Sequence, residues 1–178
     1  MQAEERTGTK AIYEGRIISV RVDTVKLADA RETSREVVEH AASVVMVPID
    51  DEDNVILVRQ YRYAVGRALL EAPAGMVEPS ESPGDCAQRE LQEEIGYRAK
   101  FLRPLGGFWS SPGFCTEYMY AFLAKGLSPS RLRADDDESI HVEKFPLSTI
   151  PRLIRMGEIE DAKTVAALLM VIFLFEDA

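Results

Sequence analysis

The sequence predicts an α/β (α+β) layered domain, and three observations carry that prediction. Short runs rich in β-branched residues recur along most of the chain. Three segments carry the boundary signals of helices. Hydrophobic residues make up 46% of the 178 positions, enough for one compact domain with a real core.

Taken in order, residues 1–41 read as a β-rich arm with strands over Ile17–Val22 and Arg35–His40. No Pro/Gly/Ser-rich linker separates the arm from residues 42–178. It is therefore expected to pack on its own domain or on a second subunit. In the main domain, Ser43–Pro48 reads as a strand, and Asn54–Tyr61 as another entered through the turn-like Asp50–Asn54 stretch. A helix is expected over Pro83–Ile95, with Ser82 as N-cap, Pro83 at the first helical position and Gly96 just past the end. Strands follow over Tyr97–Trp109 and Thr116–Ala124, separated by the Ser110–Pro112–Gly113 loop. Ile140–Phe145 is a further strand after the acidic Asp135–Glu138 run. A second helix is expected over Thr149–Met156, stopped by Gly157, and a buried third over Ala162–Phe175, capped by Asp161.

The 21 basic and 30 acidic residues leave a net charge of -9. General nucleic-acid binders and anionic-membrane binders need basic surface, so both classes are disfavoured. A small phosphate-bearing ligand needs only a local arginine cluster or a metal. Met1–Lys10 is polar and carries no secretory apolar region. The longest apolar run, Val165–Phe175, falls short of the roughly 20 residues that span a bilayer. Cys86 and Cys115 lack paired metal-site spacing and read as reduced thiols, so a cytoplasmic location is expected. A cysteine nucleophile has little support, since only His40 and His141 are available as a base.

The chemistry concentrates in Gly75–Tyr97, GMVEPSESPGDCAQRELQEEIGY. On the expected helix Glu90, Glu93 and Glu94 fall at i, i+3 and i+4, so their carboxylates share one face. Ala87, Leu91 and Ile95 form an adjacent apolar stripe that can dock on a sheet. Like charges so spaced cost a helix about 0.2–0.5 kcal/mol per pair and call for compensation. Arg89 can pair with Glu93, and a divalent cation would compensate more strongly. Oxygen ligands favour Mg²⁺ or Mn²⁺ over softer metals. For three glutamates alone, a solvated acidic face is the more ordinary reading.

Gly75, Glu81, Arg89-Glu90-Leu91, Glu93-Glu94 and Gly96 stand at the fixed positions of the Nudix box, a coincidence of order 10⁻⁹ at a given start by composition. Tyr97 departs from the aliphatic residue usual at the last position, which touches packing rather than the metal site. The resemblance to the Nudix family implies an α/β/α sandwich with a mixed sheet, with the box as loop–helix–loop. It implies Glu90 and Glu94 as metal ligands, Glu93 ligating or assisting, and the Ala74 carbonyl as a further ligand. Glu81 and Arg89 are then supports of the loop and helix. No nucleophilic side chain is required, since metals neutralise and orient a pyrophosphate and lower the pKa of bound water.

The flanks VRQYRYAVGRALLEAPAGMVEP (58–79) and SSPGFCTE (110–117) resemble the ADP-ribose pyrophosphatase branch, as do DDDESI (135–140) and GEIEDAKTVAAL (157–168). That resemblance implies metal-dependent cleavage of ADP-ribose to AMP and ribose 5-phosphate. It places Arg62 on the diphosphate, where a planar guanidinium bonds two oxygens, with Arg59 as second choice or structural pair. Neighbours on a strand alternate faces, so Arg59 and Arg62 cannot both point the same way without a bend. Pro112 stands at the distance past the box that marks this branch, and Glu117 is implied near the terminal ribose or a metal. Glu138 matches a loop glutamate that acts as base in relatives, although the acidic run reads equally as a solvated turn. Relatives are homodimers whose exchanged N-terminal strands help bind adenine. Arg16, Ile17, Arg35 and Glu36 match those positions and read equally well as ordinary strand residues. Trp109 and Phe114 flank the proline loop, where stacking on a base competes with plain packing.

Two alternatives stay open. One keeps the fold and changes the substrate to FAD, a nucleotide sugar or a dinucleoside polyphosphate. The other is a non-catalytic ligand sensor, disfavoured because Glu90, Glu93 and Glu94 are all kept and no length remains for a DNA-binding domain.

Overall fold

The computed structural model describes residues 3–133 and 140–174. Glu138, with the rest of its acidic run, lies outside the described residues. The chain divides into two compact units, Met1–Ala42 with Trp109–Tyr118, and Ser43–Phe108 with Met119–Ala178.

The first unit is an antiparallel sheet in the order β1 (Glu5–Glu14), β2 (Ile18–Lys26), β3 (Glu32–His40). Strand β1 was not expected from the sequence. Nearly all of its residues are exposed, so ERTGTKAIYE carries no inward apolar alternation to read. Asp23 of β2 is the buried polar anchor. It accepts from Thr9 Oγ1 at 2.6 Å and from Arg21 Nε at 3.0 Å. The Thr9 bond, set against partial desolvation and backed by Arg21, holds its carboxyl below the usual range. The 109–118 segment is stitched to β3, with Val38 N–H donating to Phe114 O at 2.7 Å and Thr116 N–H to Val38 O at 3.0 Å.

The second unit is built around strands β4 (Ser43–Pro48), β5 (Asn54–Arg62) and β9 (Tyr118–Pro129). One sheet runs β7 (Ala74–Met76), β4, β9, β8 (Tyr97–Trp109). It is mixed, because β4 is parallel to β9 and antiparallel to β7. A smaller antiparallel sheet runs β10 (Ile140–Pro146), β5, β6 (Arg67–Glu71). Two strands here escaped the sequence reading. RALLE of β6 is composed of good helix formers, and AGM of β7 is too short to show a period.

Period-two alternation distributes side chains into two apolar layers. Val44, Met46, Ile56, Val58 and Phe122 face α1 (Pro83–Glu90) and its continuation, packing on Cys86, Ala87, Leu91 and Ile95. Val45, Val47, Val55, Leu57 and Leu123 face the other way, onto Ile150 of α2 (Ile150–Arg155) and Ala167, Leu168 and Val171 of α3 (Ala162–Leu174). This is the expected α/β/α sandwich. Ala87, Leu91 and Ile95 dock as their spacing predicted. Leu91 is fully buried, so truncation to alanine would cost about 2–5 kcal/mol and loosen the face that carries the glutamates.

The helix signals hold where they are described, while the expected end of the third helix at Phe175 lies outside the described residues. Ser82 Oγ accepts the Asp85 N–H at 3.1 Å, and Gly96 ends the element at φ 74°. The interior differs from expectation, since Leu91–Ile95 winds as a π-helix closed by Gly96 N–H to Leu91 O. Asp161 caps α3 through the Thr164 N–H at 3.0 Å. Among the described residues no helix is long and apolar enough to cross a membrane.

Candidate active site

The box begins where β7 passes the end of the helix. Gly75 pairs with Val44 on β4 and brings its α-carbon against the side chain of Glu90. A methyl group at Gly75 would stand 1.9 Å from Glu90 Oε1 and 2.0 Å from Cδ. Glycine lets the Glu90 side chain sit against the strand here, by close approach rather than by a special backbone angle, and any larger residue would have to displace that side chain. One residue earlier, the Ala74 N–H donates to Glu94 Oε2 at 3.2 Å, and Glu94 is buried. Two of the three glutamates thus meet consecutive residues of β7.

Arg89 organises the rest. Its Nε and Nη2 bond the two oxygens of Glu81 at 3.0 and 3.1 Å, and Nη1 bonds Glu90 Oε1 at 2.7 Å and Glu93 Oε2 at 2.8 Å. Nη2 also reaches the Met76 carbonyl at 3.2 Å. One guanidinium therefore ties the loop to the helix and compensates the acidic face, as the spacing of Arg89 and Glu93 predicted. The Glu81 hydrogen bonds raise the Arg89 pKa and keep Glu81 low in return, against a smaller desolvation cost at each. Cys86, buried beneath, is pushed up to about 12 by burial and by Glu81, which makes it a poor nucleophile.

Among the described residues, no three acidic, histidine or cysteine side chains are gathered closely enough to hold a metal. The cation that Glu90 and Glu93 meet here is Arg89. In donor type, the Ala74 carbonyl and the carboxylates of Glu90, Glu93 and Glu94 fit a hard divalent ion, being oxygen throughout. The glycine cradle at position 75 holds the Glu90 carboxylate against the strand that carries Ala74.

The two arginines of β5 diverge, as strand geometry required. Arg59 turns to β10 and bonds Glu143 at 2.6 and 3.3 Å. Arg62 turns to β6 and bonds Glu71 through Nε at 2.8 Å and Nη2 at 2.7 Å. Glu71 is almost wholly buried. Burial pushes its carboxyl up, but the Arg62 hydrogen bonds and the Lys163 charge outweigh that and hold it below the usual value. The sequence assigns no role to Glu71 or Lys163 beyond membership of similar segments, and it assigns Asp161 only the N-cap of α3. The signal was present, since an acid inside the apolar run ALLEAPAG has to be buried with a partner.

The remaining candidates lie in the first unit. Arg16 and Ile17 occupy the exposed bend between β1 and β2; the strand expected to begin at Ile17 begins one residue later, at Ile18. Arg35 and Glu36 are exposed on β3, and Arg35 pairs with Glu4 at 2.6 Å. Pro112 sits exposed in the 110–117 turn, and Glu117 Oε1 lies 3.6 Å from His40 Nδ1. Trp109 packs edge-on against Tyr118 with ring centroids 5.1 Å apart, while Phe114 stays exposed.

Comparison with known proteins bears on the family and the fold. The chain is 38% identical over 168 residues to an ADP-ribose pyrophosphatase of Bacillus subtilis, covering 93% of this chain and 91% of that one. It is 36% identical to a methanol dehydrogenase activator of Bacillus methanolicus, covering 92% and 90%. A crystal structure of an ADP compounds hydrolase superposes with a TM-score of 0.91 at 25% identity, over 99% of this chain and 96% of the other. The model of the NUDIX domain matches residues 39–168. With the box residues, the sandwich and that match in agreement, the chain belongs to the Nudix hydrolase family.

Proposed function

We propose that the protein hydrolyses ADP-ribose to AMP and ribose 5-phosphate, with Mg²⁺ or Mn²⁺ held by Glu90, Glu93, Glu94 and the Ala74 carbonyl. The observation that carries this reading is the seating of Glu90 on Gly75 and of Glu94 on Ala74, which draws acidic side chains to one oxygen-rich strand end. The name of the Bacillus subtilis relative supports the substrate. A divalent ion bound there supplies charge neutralisation on the diphosphate and a lowered pKa for water.

The chain's own residues do the rest. Arg62, steadied by Glu71, meets the diphosphate, with Arg59 as its alternate. Water attacks one phosphorus and the bond to the bridging oxygen breaks. The attacked phosphate takes the water oxygen, the leaving phosphate keeps the bridging oxygen, and the water proton passes to a carboxylate. Glu93, Glu94 and Glu138 are the candidates for that base. Glu117 and Pro112 bound the far end of the substrate. Arg16, Ile17, Arg35 and Glu36 serve the adenine in a homodimer whose N-terminal arms, residues 1–41, reach across to the partner's domain of residues 42–178. The setting is cytoplasmic, with no nucleic-acid or membrane partner.

The test is incubation of the purified protein with ADP-ribose, with Mg²⁺ or with EDTA, beside FAD, GDP-mannose and diadenosine polyphosphates. Metal-dependent AMP formed fastest from ADP-ribose is the expected result. Faster cleavage of another compound would replace the substrate. Binding without cleavage of any would turn the reading to a sensor.

A further inference from the structure

On the reading that Arg62 meets a diphosphate, Arg62 does not act alone: a buried carboxylate and a lysine stand behind it. Glu71 holds Arg62 by both of its oxygens, and the Glu71 side chain is only 1% exposed. A carboxylate stripped of water needs compensation beyond one partner. Lys163 Nζ supplies it, reaching Glu71 Oε2 at 2.5 Å. Lys163 is fixed in turn by Asp161 Oδ2 at 2.9 Å. Asp161 also accepts Thr164 Oγ1 at 2.5 Å, and that hydroxyl accepts the Ala72 N–H at 2.8 Å. The N-terminal turn of α3 thereby grips the strand end leading to Ala74 and the carboxylate that aims Arg62.

The charges decide what Lys163 does. Arg62, Glu71, Lys163 and Asp161 together sum to zero. Without Lys163 the group carries a net negative charge, Glu71 has Arg62 as its one cation, and an arriving diphosphate meets repulsion. With Lys163, the Glu71 charge is shared between two cations. We infer that Lys163 is a positioning residue for diphosphate recognition: it shares the charge of Glu71, so that Glu71 can orient Arg62 without consuming its capacity to bind an anion.

The experiment is a double-mutant cycle on ADP-ribose hydrolysis with Lys163→Gln and Arg62→Gln in the full chain. Lys163→Gln is expected to raise KM about tenfold with kcat within about twofold, the signature of lost binding common to ground and transition states. Lys163→Arg is expected to restore most of the affinity. In the Arg62→Gln background, Lys163→Gln should change KM by less than about twofold, because its route of action is gone. A merely structural lysine would move thermal stability and leave KM unaltered, or would multiply with Arg62→Gln, and either result overturns the inference. A fall confined to kcat overturns it too. Should Lys163→Gln not fold, Lys163→Met keeps the stem and removes the charge, and the same KM criterion applies. An inactive wild-type chain would overturn the substrate reading and this inference together. Active wild type with multiplicative effects would overturn this inference alone.

Discussion

The α-carbon of Gly75 lies against the carboxylate of Glu90, so close that a single added methyl would stand 1.9 Å from Oε1. Gly75→Ala must therefore displace Glu90, its backbone being otherwise free to accept alanine. The expected outcome is a fall in turnover of about a hundredfold, the scale of an ångström misplacement of a catalytic group. Steady-state kinetics beside a thermal melt would check it. Unchanged turnover would mean that the Glu90 position is immaterial.

Glu94→Gln keeps an oxygen for the Ala74 N–H and removes the negative charge. Turnover should drop about a hundredfold or more, with the fold retained. Full activity in this variant would remove Glu94 from the ligand and base assignments. Circular dichroism establishes the fold independently.

Arg89→Ala leaves Glu81, Glu90 and Glu93 without their shared cation. The Arg89 side chain is 24% exposed, so a loss of roughly 3 kcal/mol in urea unfolding is expected. Arg89→Lys should recover less than about half, since an ammonium cannot span both oxygens of Glu81 while reaching Glu90 and Glu93. Equal stability of the lysine variant and the wild type would refute the bidentate account.

Asp50 gathers the β4–β5 turn by accepting the N–H groups of Glu52 and Asn54 and pairing with Lys144 at 2.9 Å. Burial pushes its carboxyl up, but Lys144 and the turn amides prevail and lower it from 3.8 to about 2. A carboxyl lowered on folding stabilises the protein above its unfolded value and loses that contribution as pH falls through the folded one. Asp50→Asn should therefore be less stable near neutrality by about 1 kcal/mol, a figure discounted for the half-exposed Lys144. The gap should close between pH 3.8 and about 2 in acid-unfolding curves. A gap independent of pH would exclude the charge as its source.

Much of this architecture was legible in residues 43–62, 82–96 and 161–174, where caps, glycines and β-branched runs state their purpose locally. Ser82, Gly96, Gly157 and Asp161 all punctuate the chain where their chemistry said they would. What escaped depended on distant partners. Strand β6 is a strand because β5 pairs with it, in spite of its helix-forming composition. The π-helical turn over Leu91–Ile95 leaves no mark in side-chain spacing. At the site, the acidic face and its arginine could be read directly. The service of Lys163 to Glu71 could not, because the two meet only after α3 folds back on β6.

The parallel pairing of β4 with β9 sets Ser43 opposite Met119, with the whole box helix between them in the chain. During synthesis, the most buried strand of the domain emerges well before the strand that covers its edge. Until Met119–Ala124 arrives, the row SVVMVP has only β7 to pair with on that sheet. Closure over so long a loop delays the reward of its contacts, so β4–β9 docking is expected to come late in refolding. A chain stalled before that step would present an apolar, unpaired edge, and the same strand that anchors the finished core would then be its chief hazard for aggregation.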